Sequence, residues 1–134
     1  MRVVSINKYQ VIYYDKSNQL LKSEWLEESA KMPIPKFRKE AERILNFALK
    51  YKPKYAVVDL SNFKYDFNQR DMMWFNSIHN NDLVEKVGIV ISSTEGPLCR
   101  GINELIATSH ILSKKTKTFT TEFETLEWLE LKLV

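Results

Sequence analysis

Apolar and polar positions alternate along this chain in short runs and longer amphipathic stretches that predict its elements in turn. Residues 2–6 read as a first strand, at most an edge. From Tyr9 to Tyr14 the alternation is stronger, with Tyr9, Val11 and Tyr13 on one face and Ile12 and Tyr14 on the other. Asp15, Lys16, Ser17 and Asn18 supply turn chemistry. Leu20 to Leu26 then resumes the alternation, with Leu21, Ser23 and Trp25 on one side. These segments predict an N-terminal antiparallel hairpin. Glu27 to Pro35 carries two prolines and reads as a loop.

From Lys36 to about Tyr51 the helical period predominates, with Phe37, Ala41, Ile44, Leu45 and Ala48 on one stripe. Lys36, Lys39, Arg43 and Lys50 fall on the opposite face, and Pro53 ends the helix. Tyr55 to Val58 is a short β-branched run, as a strand covered on both faces requires, and Asp59, Leu60, Ser61 and Asn62 end it in a polar turn. A helix over about Gln69 to Asn80 carries Met72, Trp74, Phe75 and Ile78. Val87 to Ile91 is a second buried-strand run, leading through Ser92, Ser93, Thr94, Glu95 and Gly96 into a helix over Pro97 to Leu112. Thr116 to Thr120 is a short strand, and Thr121 with Glu124 matches a capping box that opens a last helix, with Leu126 and Leu129 inward.

The order β-β-β-α-β-α-β-α-β-α predicts one α/β domain over residues 1–134. Its sheet is a mixed one of about five strands, with the antiparallel hairpin at one end, a parallel remainder and about four helices.

Composition narrows the class. The chain has 134 residues, enough for one domain with a substantial core, and 44% hydrophobic and 28% charged residues are ordinary globular proportions. Twenty basic against 17 acidic residues leave a formal charge of +3, too small and too scattered to imply nucleic acid. Cys99 is the only cysteine, so neither a disulfide nor a cysteine-based zinc site is expected. No window approaches the ~18 apolar residues of a membrane span. The N-terminus lacks the features of a signal peptide, and a cytoplasmic location is expected.

Four features then give a resemblance. They are the hairpin YQVIYYDKSNQLLKSEWLEES, the strand YAVVDLSNF ending in an acid, the pair Trp74-Phe75, and the ending in which a Phe119-containing strand precedes LEWLELKL. In this order, over about residues 9 to 132, they resemble the SpoIIAA-like family of STAS/Sec14-type domains. The resemblance implies a STAS-like fold and a signalling or carrier role. Anti-sigma-factor antagonists of that superfold carry a phosphorylatable serine in an Asp-Ser-Ser-Gly-like turn. Here the comparable stretch is Asp66-Phe67-Asn68-Gln69, so the phosphorylation switch is not carried over. Ser61 is the nearest hydroxyl, in the strand exit.

Candidate chemistry is sparse. If the two β-branched strands are parallel, Asp59, Ser61 and Asn62 share a rim with Ser92, Ser93, Thr94 and Glu95, and Arg100 faces an anion there. The same residues equally serve as turns and caps. Gly96 and Gly101 have P-loop spacing, but Ile102 and Asn103 stand where Lys and Ser/Thr belong, which rejects that motif. His79 and His110 have no carboxylate at ligand spacing, and Cys99 reads as a buried hydrophobe. The succession Met72, Met73, Trp74, Phe75 points apolar groups round most of a helix, so part of it faces a partner, a pocket, a dimer contact or an overlying loop.

These features lead to a definite expectation: a non-catalytic binding or regulatory module, STAS-like, in protein–protein signalling. It would bind through Asp59, Ser61, Asn62, Trp74, Phe75, Ser93 and Arg100, without metal, cofactor or catalytic residues. The alternative is a small-molecule or lipid-binding domain with an apolar pocket under the Met72–Phe75 helix. A homodimer is left open.

Overall fold

The computed structural model describes residues 1–63, 83–93, 96–108 and 115–131. Six strands, β1 (Arg2–Ile6), β2 (Gln10–Asp15), β3 (Leu20–Trp25), β4 (Tyr55–Asp59), β5 (Lys86–Val90) and β6 (Thr116–Phe119), form one sheet in sequential order. The two junctions β1/β2 and β2/β3 are antiparallel, and β3/β4, β4/β5 and β5/β6 are parallel. The expected five strands become six because residues 2–6 pair with β2 along their length, interrupted by a bulge between Val3 and Ser5.

Three α-helices stand among the described residues: α1 (Ile34–Tyr51), α2 (Pro97–Thr108) and α3 (Glu122–Trp128). The fourth expected helix, over Gln69 to Asn80, lies outside the described residues, as does the end of the expected Pro97–Leu112 helix. The predicted loop after β3 holds a short 3-10 turn, Glu27–Lys31. α1 begins two residues earlier than its periodicity suggested, with Pro35 in its first turn, where a missing N–H breaks no helical bond. At its other end Lys52 adopts a left-handed conformation (φ 49°) and its N–H closes on the Ala48 carbonyl, just before Pro53.

Each sheet face has its own core. On one face, α1 and α2 pack Phe37, Ile44, Ala48 and Ile102 against Ile12, Leu21, Val58 and Ile89. On the other, Leu126 and Leu129, from α3 and the residue that ends it, cover Leu20, Val57 and Val90. Successive residues of β4 therefore bury in opposite directions, which is why Val57 and Val58 both had to be apolar. α3 comes close to β5 because Gly88 has no side chain: a Cβ there would lie 2.1 Å from Thr125 Cγ2. The Thr121 hydroxyl caps this helix, accepting from the Glu124 N–H at 3.2 Å, as the capping-box sequence predicts.

Two assignments of facing need correction. Tyr9 precedes β2, in a turn where the Asn7 side chain accepts from the Tyr9 and Gln10 N–H groups, and it packs on the α1 side, not with Val11 and Tyr13. The α1 stripe also contains a carboxylate. Glu40, only 2% exposed, takes hydrogen bonds from Asn7 and Gln10, while Gln10 accepts one from Ser23. Lys36 and Arg43, expected on the outer face, reach back to Glu40 at 3.6 Å each. A buried charge needs such partners, and here they fasten α1 to the hairpin. Among the described residues, no helix is long and apolar enough to cross a membrane.

Candidate functional site

The carboxyl ends of β4 and β5 meet as the strand order requires. The parallel register sets Asp59 beside Val90, so the exits through Ser61 and Asn62 and through Ser92 and Ser93 are neighbours on one rim. Leu60 extends the ladder by donating its N–H to the Val90 carbonyl at 2.7 Å. The Asp59 carboxylate turns back on its own exit, accepting from the Ser61 N–H at 3.0 Å and from the Ser61 hydroxyl. That is the turn-forming role of an Asp two residues before its donor. Asn62, Ser93 and Arg100 are exposed, the last in the first turn of α2. Among the described residues no ion pair joins Asp59 to Arg100.

Of the expected site residues, the rim thus gathers Asp59, Ser61, Asn62 and Ser93, with Arg100 on the helix that follows. Trp74 and Phe75 lie outside the described residues, as do Asp66 to Gln69, His79, Thr94, Glu95 and His110. Cys99 is buried, with Asn103 Nδ2 donating to its sulfur at 3.3 Å, in keeping with a core thiol.

A second feature lies under the helices. Between α1, α2 and the sheet is a cavity of about 100 Å3, walled mainly by aliphatic side chains of β3, β4, β5, α1 and α2. At the carboxyl ends of β3 and β4 it meets Trp25, Phe37 and Phe63, in which the Trp25 and Phe63 rings stand edge to face at 5.2 Å. At the amino ends of β5 and β6 it meets Val84, Lys115 and Thr116. Lys115 is only 8% exposed and its ammonium donates to the Val84 carbonyl at 3.4 Å. Thr116 is level with Val87 in the ladder, on the cavity side, and its buried hydroxyl oxygen has no hydrogen-bond partner among the described residues. Neither residue stood out in the sequence, because a lysine and a threonine before a short strand read as surface.

The opposite sheet face carries a third cluster that sequence reading missed, assembled from β2, β3 and α3. The Lys22 ammonium pairs with Glu122 at 2.8 Å and Glu24 at 3.8 Å, and lies 5.4 Å from the centre of the Tyr13 ring. Burial, then the nearby Glu24 carboxylate, push the Tyr13 phenol above its ordinary value. The cation is matched by its own neighbours, so the cluster ties α3 to the hairpin. Among the described residues no group of three or more His, Cys, Asp or Glu side chains is arranged to hold a metal ion. Compared with known proteins, the chain matches no family model, no curated protein and no solved structure.

Proposed function

We propose that this chain is a non-catalytic binding module of the SpoIIAA-like, STAS type, and that its ligand is a small apolar molecule held between the sheet and the helices. One observation carries the reading: the apolar cavity of about 100 Å3 between α1, α2 and the sheet. Well-packed cores hold few voids larger than a water molecule, whereas apolar cavities of ~150 Å3 stay dry and accept benzene. The acid expected to act at the rim has another task, since Asp59 closes the turn at Ser61.

The test is binding of xenon, a smaller apolar probe than benzene, followed through the methyl signals of Val58, Ile89 and Ile102. Shifts confined to these cavity methyls in the wild-type chain, and lost when Ile106→Phe fills the space, support the reading. A wild-type spectrum that ignores xenon overturns it.

A regulatory protein contact is the second reading, favoured by the exposed Asn62, Ser93 and Arg100 on and beside one rim. Affinity capture from native lysate, with wild type and Arg100→Glu side by side, addresses it. A protein retained by the wild type and lost by the variant supports the contact; equal retention removes it.

A further inference from the structure

We propose that β1 is a docking edge for an extended acidic peptide, which adds a further strand to the sheet with alternating apolar and acidic side chains. This edge lies outside the cavity and is separated from the β4/β5 rim by β2 and β3, so xenon binding bears on it in neither direction.

Among the described residues no strand pairs with the outer side of β1, which leaves one row of its backbone N–H and C=O groups open. Natural edges are commonly short or bulged, and β1 is both. The bulge does something further here. In a regular strand Val3 and Ile6 would point to opposite faces. Instead Val3 is level with Tyr13 and Ile6 with Val11, residues that share the α3 side of the sheet, so both apolar side chains turn the same way. They are 49% and 69% exposed there. Two bare aliphatic groups beside an open backbone invite a further strand rather than repel one.

The other face of this margin is basic. Lys8 and Lys36 lie 5.2 and 5.7 Å from the centre of the Tyr9 ring, on the α1 side. Arg43 reaches the Gln10 carbonyl at 3.4 Å. Toward the other end of the strands Lys50 sits over Tyr51, whose ring stacks on Tyr14 at 4.4 Å, and Arg2 is level with Tyr14. Two acids on this side are committed to neighbours: Glu40 is buried among its donors, and Asp15 accepts from Ser17 and Asn18. Among the described residues Arg2, Lys8 and Lys50 have no ion pair.

Such a margin favours a strand with negative side chains on the α1 side. Successive residues of a strand point to opposite faces. The sequence that fits both faces therefore alternates, apolar toward Val3 and Ile6 and acidic toward the cations. Main-chain hydrogen bonds hold a strand added in this way, and its alternate side chains give specificity. A second copy of this chain fits less well, because its own β1 brings another Arg2 and Lys8 to the same cations.

The experiment presents three blocked heptapeptides to the whole chain, read by calorimetry and by exchange of the β1 amides. One alternates Glu and Val, one alternates Lys and Val, and the third is the Glu–Val peptide N-methylated throughout. The Glu–Val peptide is expected to bind at least about tenfold more tightly than the Lys–Val one and to slow β1 amide exchange. N-methylation keeps every charge, removes the backbone donors and should abolish binding. Arg2→Glu combined with Lys50→Glu should weaken the Glu–Val peptide about tenfold and leave the urea midpoint unchanged. Equal binding of the Glu–Val and Lys–Val peptides, or binding of neither, overturns the proposal. So does an N-methylated peptide that binds as well as its parent, which would show charge attraction without strand addition. Sedimentation of the free chain should find a monomer; a dimer that Ile6→Arg splits would give the edge to a second copy and remove the peptide assignment. Should the charge variant fail to fold, the three peptides on the wild type decide alone.

Discussion

Gln10 and Glu40 are joined twice. The Gln10 side-chain amide donates to the Glu40 backbone carbonyl at 2.8 Å and to its carboxylate at 2.7 Å, across 30 residues of sequence. This pair fixes where α1 lies on the hairpin, and it does so inside the core, where Gln10 is wholly buried. Replacing Glu40 by Ala leaves the buried Gln10 amide only the backbone carbonyl of residue 40 and also frees Asn7, Lys36 and Arg43 from their common partner. A loss of about 3 kcal/mol is expected, read as a lower urea midpoint with unchanged slope. Glu40→Gln, which keeps the shape, should lose less than half as much. Equal losses would assign the effect to the carboxylate's charge and not to packing.

Gly88 tests the second core. Gly88→Ala places a methyl group on Thr125 Cγ2 and pushes α3 away from β5. Overpacking of this kind costs about 1–3 kcal/mol. Thr125→Ser removes the colliding methyl and keeps the hydroxyl that donates to the Thr121 carbonyl. The double variant should therefore regain most of the stability lost by Gly88→Ala. Strict additivity of the two changes would show that this contact does not set the spacing.

Tyr13 gives a pH dependence of definite sign. Burial and Glu24 raise its pKa from 10.0, so the folded protein holds the phenol proton more tightly than the unfolded chain does. The resulting stability is complete below the unfolded value of ~10 and fades as pH rises through the folded value. Stability curves of wild type and Tyr13→Phe, measured by urea unfolding, should converge or cross in that alkaline range. Curves that stay parallel would mean that Tyr13 is not linked to folding.

The cap of α3 is local and separable. Thr121→Ala removes the acceptor for the Glu124 N–H and is expected to cost about 1 kcal/mol. Thr121→Ser should cost much less, since the oxygen is retained. A similar loss for both variants would locate the effect in the threonine methyl group.

Much of the fold was legible because it rests on periodicity. Two adjacent β-branched residues, Val57 and Val58, can be buried together only in a strand covered on both faces, and the sheet covers them with α3 and α1. Glu40 was not legible, because a glutamate four residues after Lys36 and three before Arg43 looks like any solvated ion pair until Gln10 is placed under it. Gly88 was hidden inside an apolar run, where nothing local marks the approach of a helix from 37 residues downstream. At the candidate site, the meeting of the two strand exits could be read from connectivity. That Asp59 closes on Ser61 is a property of the turn's geometry, and the polar end of the cavity depends on how β5 and β6 stack beneath the helices.

Sequential strand order bears on how the chain reaches this state. Every strand hydrogen-bonds to the strands that precede and follow it in the chain, so no late segment has to be threaded between two earlier ones. Short excursions between partners favour rapid folding over slow long-range search. During synthesis from the N-terminus, the hairpin of β2 and β3 can form as soon as residues 10–25 emerge, and each later strand then finds a finished edge waiting as its template. The growing edge moves from β3 to β6, and it stops advancing where α3 docks over β5 and β6.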